Sequence, residues 1–113
     1  MTLDYAFKAM LFWVVSRSNN CVYCMGHNEK QLAAFGVSED RIAALDGDWG
    51  QCSLAERAAL ALARKLTVAP HTITDADIDA VRQHFTNQQV LEMIGIVSGF
   101  NAMNRWTGPL RLT

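Results

Sequence analysis

Cys21-Val22-Tyr23-Cys24-Met25-Gly26-His27 decides how the rest of this chain is understood. A Cys-x-x-Cys pair placed after a strand, in a βαβ context, marks a thioredoxin-like fold. Here both flanks carry helical signals, and the pair sits at the start of a helix with a histidine one turn later. The N–H groups and dipole of a helix N-terminus favour thiolate, and the second thiol of such a pair can trap what the first forms. The stretch therefore predicts a dithiol on an all-helical scaffold.

Working outward, the apolar residues keep helical spacing and the polar residues fall where helices begin and end. Residues 3–16 read as a first helix, apolar on most faces and therefore covered. Arg17-Ser18-Asn19-Asn20 is a polar break in which Asn19 or Asn20 is a candidate cap for the helix starting near Cys21. That second helix runs to about Phe35, where Gly36 is a natural residue to end it. Ser38 caps a short helix that ends near Leu45.

After the Asp46–Gln51 loop, Ser53 and Glu56 have capping-box spacing and open a helix reaching about Leu66. Thr74 opens the next, with Ile78, Val81 and Phe85 on its apolar face. Thr86 and Gln89 repeat the box before a final helix that is apolar nearly all round. Thr107-Gly108-Pro109 is expected to stop it. No stretch alternates as a strand. The expected architecture is all-α, about six helices in one domain spanning residues 1–113.

Composition narrows the function. The chain has 113 residues, half of them hydrophobic, and a formal net charge of −1. No basic stripe exists, so nucleic acid and anionic membranes are not expected partners. The run Met10–Val15 is too short to span a bilayer, which needs about 20 residues. Asp4 sits where a signal peptide would be basic, and no small-residue cleavage site precedes Ser16. The expectation is a cytoplasmic protein, where a Cys-x-x-Cys is more often catalytic or metal-binding than a structural disulfide.

Other chemistries fit Cys21–His27 less well. Haem attachment needs histidine directly after the second cysteine, and Met25 stands there. Structural zinc needs four ligands, and Cys52, His71 or His84 would have to complete the set without paired spacing. No metal or cofactor is therefore expected. Cys21 and Cys24 also admit a plain packing role, as small buried hydrophobes. His27 is equally consistent with a surface histidine, and Cys52, just before the cap at Ser53, reads as an incidental cysteine. Asn101 and Asn104 suit either a site lining or interhelical hydrogen bonds. Arg17 is a candidate for lowering a thiol pKa. Trp13, Trp49 and Trp106 read as core or interface anchors.

The phrase Ser16-Arg17-Ser18-Asn19-Asn20-Cys21-Val22-Tyr23-Cys24-Met25-Gly26-His27, the short helix after Gly36-Val37-Ser38, and the late Asn101-Ala102-Met103-Asn104-Arg105-Trp106 together resemble the alkylhydroperoxidase D-like group of the carboxymuconolactone decarboxylase superfamily. The resemblance covers nearly the whole chain and implies that group's helical bundle. In its peroxidase branch the second cysteine attacks peroxide and the first resolves the sulfenic acid as a disulfide. This implies Cys24 as peroxidatic and Cys21 as resolving.

That branch also relays protons through a histidine four residues after the second cysteine and a glutamate twelve before the first. Here Asn28 and Ala9 hold those positions. His27 lies one place early, about 60° round the helix from Cys24 and about 120° from Cys21. It can approach Cys24 as an i, i+3 neighbour but cannot easily serve both thiols. The chain is also shorter than many members of the group: either an N-terminal helical segment is missing, or this is a minimal version.

Two readings follow. In the first, the chain is an oxidoreductase using Cys21, Cys24 and His27, reducing a peroxide or exchanging with the disulfide or dithiol of a reductant protein. In the second, it is a non-redox relative whose fold presents a small-molecule pocket or an oligomeric surface. The decarboxylase chemistry that names the superfamily has no specific support in these residues. The apolar first and last helices carry more hydrophobic surface than so short a chain can readily cover. Self-association is therefore expected, and the resemblance implies a dimer, trimer or hexamer.

Overall fold

The computed structural model describes residues 3–110, and among them it is all-helical, with no strand. Six α-helices run in order: α1 Tyr5–Ser18, α2 Val22–Ala34, α3 Glu39–Ala44, α4 Leu54–Val68, α5 Asp75–Arg82 and α6 Asn87–Leu110. A single 3₁₀ turn, Pro70–Thr72, lies between α4 and α5. No helix among the described residues is long and apolar enough to cross a membrane.

Local side-chain chemistry starts most of these helices. Ser38 accepts from the Arg41 N–H at 3.3 Å, leaving the acidic Glu39 and Asp40 in the first turn of α3. Ser53 with Glu56, and Thr74 with Asp77, form reciprocal capping boxes at α4 and α5. Thr86 and Gln89 exchange the same pair of bonds, at 2.9 and 3.1 Å, ahead of α6. Gly36 takes the left-handed conformation (φ +87°) that ends α2, as its lack of a Cβ allows. Asp4 caps α1 through the Ala6 N–H, so this helix begins and ends two residues later than its apolar pattern suggested.

α1 is the axis of the fold. It packs on α2, α4 and α6, which is why its apolar residues surround it: Leu11 and Val15 have no exposed surface. Trp13 and Trp49 are buried with them, and the Trp49 indole donates to the Leu45 carbonyl at 2.9 Å. Trp106, in contrast, is two-thirds exposed on α6.

Two expectations at the break and at the end of the chain need correcting. Neither Asn19 nor Asn20 caps α2. Its N-cap is Cys21, which makes no side-chain capping bond. Asn19 instead closes α1 with its amide turned across to α6, and Asn20 turns the chain with φ +58°, a region asparagine tolerates. Thr107-Gly108-Pro109 likewise does not stop α6, which continues to Leu110. A proline near a helix end keeps helical φ and forfeits only one backbone bond. The Thr107 hydroxyl meanwhile ties back to the Met103 carbonyl at 2.9 Å.

Candidate active site

Cys21 and Cys24 come together at the N-terminus of α2, at disulfide-bonding distance with their Cα atoms 5.3 Å apart. Because the N-cap is itself a cysteine with no capping side chain, no side-chain acceptor competes with sulfur for the first-turn N–H groups. Both residues are buried. Cys21 lines an open groove of about 710 Å³, together with Asn20, Val22 and Tyr23 on one wall and Arg105 and Pro109 on the other. Cys24 lies behind it.

The last turns of α6 cover the pair. The Thr107 Oγ1 lies 3.2 Å from the Cys24 sulfur and 4.0 Å from that of Cys21. A side chain at Gly108 would reach the Cys21 sulfur at 3.9 Å, so this turn of α6 runs close against the sulfurs. In the sequence Thr107 reads only as part of a stop signal. The contact bridges 83 residues, and nothing local to Thr107 marks it.

Behind the sulfurs, amides and hydroxyls join four helices. Ser16 on α1 donates to Asn28 Oδ1 on α2 at 3.0 Å, and Asn104 on α6 reaches the same hydroxyl at 3.4 Å. The Asn19 amide donates to both Asn101 and Asn104, at 2.8 and 3.1 Å. Asn101 continues to Thr67 on α4 at 3.1 Å. Of the two roles open to Asn101 and Asn104, interhelical bonding is thus present in full. Asn28, at the position where the peroxidase branch carries histidine, is wholly buried, and its Nδ2 has no hydrogen-bond partner among the described residues.

The structure does not bring His27 to the dithiol. It is exposed, its ring stacked on Tyr23 with centroids 6.3 Å apart, in an adjoining groove of about 340 Å³. Among the described residues no hydrogen bond joins it to either sulfur. The helical offset of about 120° keeps it from Cys21, and its stacking on Tyr23 holds the ring in the adjoining groove. Arg17 is also turned away, with its Nε donating to Asp46 at 2.9 Å. Ala9 is buried on α1. Cys52 is free and buried far along the chain, and that burial, with Glu56 nearby, pushes its thiol pKa up. Among the described residues no three His, Cys, Asp or Glu side chains converge as a metal site.

The fold has a solved counterpart. It superposes with a TM-score of 0.86 on the crystal structure of an uncharacterized peroxidase-related protein from Silicibacter sp. TM1040, at 26% identity, over 100% of this chain and 61% of that one. The two chains share one fold. In sequence the chain is 30% identical, over 95 residues, to the uncharacterized protein YdfG of Bacillus subtilis (strain 168), covering 80% of this chain and 64% of that protein. It thus spans less than two thirds of the length of each. No family model matches it.

Proposed function

We propose that the chain is a dithiol oxidoreductase that reduces a peroxide through Cys24 and Cys21. The observation that carries this reading is the pairing of the two sulfurs at an uncapped helix N-terminus, with one of them opening onto a groove. The peroxidase-related structure with the same fold supports it.

The chemistry balances as follows. The Cys24 thiolate attacks one peroxide oxygen; an S–O bond forms and the O–O bond breaks. The alkoxide or hydroxide released takes a proton from water. Cys24 is then a sulfenic acid, two electrons more oxidised. Cys21 attacks its sulfur, the disulfide forms, and hydroxide leaves as water. A dithiol reductant entering at the groove exchanges with Cys21 and restores both thiols. With Asn28 and Ala9 at the relay positions no side-chain base among the described residues touches Cys24, so turnover is slow.

The test is mass spectrometry of the alkylated protein before and after one equivalent of peroxide. Loss of two alkylation sites, mapped to Cys21 and Cys24 as one intramolecular disulfide, is the expected result. In addition, Cys21→Ser leaves a sulfenic acid on Cys24 that dimedone traps, and Cys24→Ser abolishes peroxide consumption. If both cysteines stay alkylatable at every peroxide concentration, the groove is a binding site and the cysteines are packing residues.

Self-association belongs to the same proposal. α6 turns Leu91, Met103, Trp106 and Leu110 to solvent, and Trp106 stands 68% exposed. Large apolar side chains repeated along one helix are the composition of a buried contact. Light scattering at micromolar concentration is expected to report a mass above that of one chain; a monomer rejects the assembly.

A further inference from the structure

A threonine inside a helix commonly returns its hydroxyl proton to the carbonyl four residues back, and Thr107 does so to Met103 at 2.9 Å. What sets this threonine apart is a second acceptor for the same proton. Its oxygen lies 3.2 Å from the Cys24 sulfur but 4.0 Å from that of Cys21. A hydroxyl has one proton and a freely turning O–H bond, so it serves one acceptor at a time.

We infer that the Thr107 hydroxyl passes its hydrogen bond from the Met103 carbonyl to the Cys24 sulfur when the disulfide opens, and so selects Cys24 as the thiolate. This rests on the redox reading above and assigns within it the residue that distinguishes the two sulfurs. While the disulfide is closed its sulfur is a weak, neutral acceptor, and the carbonyl holds the proton. When Cys24 carries a negative charge, the bond to it becomes charge-assisted and about twice as strong as a neutral one. The O–H turns about the Cβ–Oγ1 bond, and the threonine keeps its place on α6. Met103 loses little, because helix geometry still gives its carbonyl the Thr107 backbone N–H. Cys21, farther from the hydroxyl, gains little and stays the groove-facing partner.

No charged side chain duplicates this effect. On α6, Arg105 lines the groove but is bound to the Asn101 carbonyl and Oδ1 at 3.3 and 3.1 Å. On α1, Arg17 is held by Asp46. On α2, Glu29 accepts from the Trp13 indole at 3.4 Å, and His27 stacks on Tyr23. Among the described residues Thr107 is the side chain with a hydrogen-bonding atom on the Cys24 sulfur.

The test reads ionisation, which does not depend on turnover. In a Cys21→Ser background the rate of Cys24 alkylation by iodoacetamide is followed against pH in Thr107, Thr107→Val, Thr107→Ala and Thr107→Ser proteins. A hydrogen bond to the charged form stabilises it, so its loss moves the midpoint upward. Valine and alanine are expected to raise the midpoint by roughly one unit and to slow alkylation about tenfold at pH 7, while serine keeps the parent profile. In a Cys24→Ser background, Cys21 keeps its midpoint in all four proteins.

Circular dichroism identifies which variants are folded, and alanine serves if valine disturbs the helix. Unchanged Cys24 profiles in folded valine and alanine variants overturn the inference. So does an equal shift of Cys21. If Cys24 shifts as expected yet peroxide never oxidises it, the role of Thr107 stands and the redox reading falls.

Discussion

The Ser16 hydroxyl donates to Asn28 Oδ1 at 3.0 Å, and neither side chain has any exposed surface. It is a buried polar pair between α1 and α2, directly behind the dithiol, and it occupies the position from which a histidine serves the thiols in the peroxidase branch. The other end of the Asn28 amide has no partner among the described residues. The pair therefore carries a standing desolvation cost in return for a fixed geometry.

That asymmetry predicts non-additive stability. Ser16→Ala strands both ends of the Asn28 amide, and Asn28→Leu removes the acceptor of the Ser16 hydroxyl. Each is expected to cost about 1–3 kcal/mol. The double substitution, which removes donor and acceptor together in similar volume, is expected to cost clearly less than the sum. Urea unfolding of the four proteins measures it.

Restoring the relay is expected to speed the reaction. Position 9 lies seven residues before Ser16, on about the same face of α1 and about 10 Å along its axis. Asn28→His with Ala9→Glu places a base and its orienting acid behind Cys24. A positioned base contributes roughly 10²–10⁴-fold where geometry permits. Both sites are buried, so some stability is lost. Peroxide consumption with a dithiol reductant, run below the unfolding temperature of the variant, is the measurement. A folded double variant at the parent rate would show that Cys24 does not work through this position.

Cys52 is expected to be the slow thiol. Burial first, and the Glu56 carboxylate second, push its pKa up, so at neutral pH it stays protonated. In the folded, reduced protein, timed alkylation followed by peptide mapping should modify Cys21 and Cys24 well before Cys52. Cys52 should react fully only after denaturation.

Asp77 predicts an acid limit. Its hydrogen bond from Lys65, 2.9 Å away, and then that from the Thr74 N–H hold its carboxyl below the usual range. A depressed folded pKa gives stability that is present above the unfolded value of about 3.9 and is lost as pH falls through the folded one. Asp77→Asn should therefore be less stable than the parent at neutral pH, with the gap closing below about pH 4. Thermal unfolding of both proteins across that range tests the sign.

Much of the fold was legible because its causes are local. The boxes at Ser53 and Thr74 join residues three apart, and Gly36 ends α2 through its own backbone freedom. The site was half legible. Cys-x-x-Cys spacing alone allows its sulfurs to meet at a helix start. The environment of the pair was not legible. Asn19 has the composition of a cap, yet bonds to Asn101 and Asn104 on α6, 82 and 85 residues away, outweigh that local option.

Taken alone, the sequence determined about six helices, most of their starts and the position of a dithiol, since propensity, capping and helical period act within a turn or two. The tertiary structure alone decided which groups face the sulfurs: Thr107 is laid over Cys24, Arg17 is drawn off to Asp46, and His27 is left in solvent. The first of these depends on where α6 crosses α1 and α2. That crossing is set by the packing of whole helix faces, a property no short stretch carries.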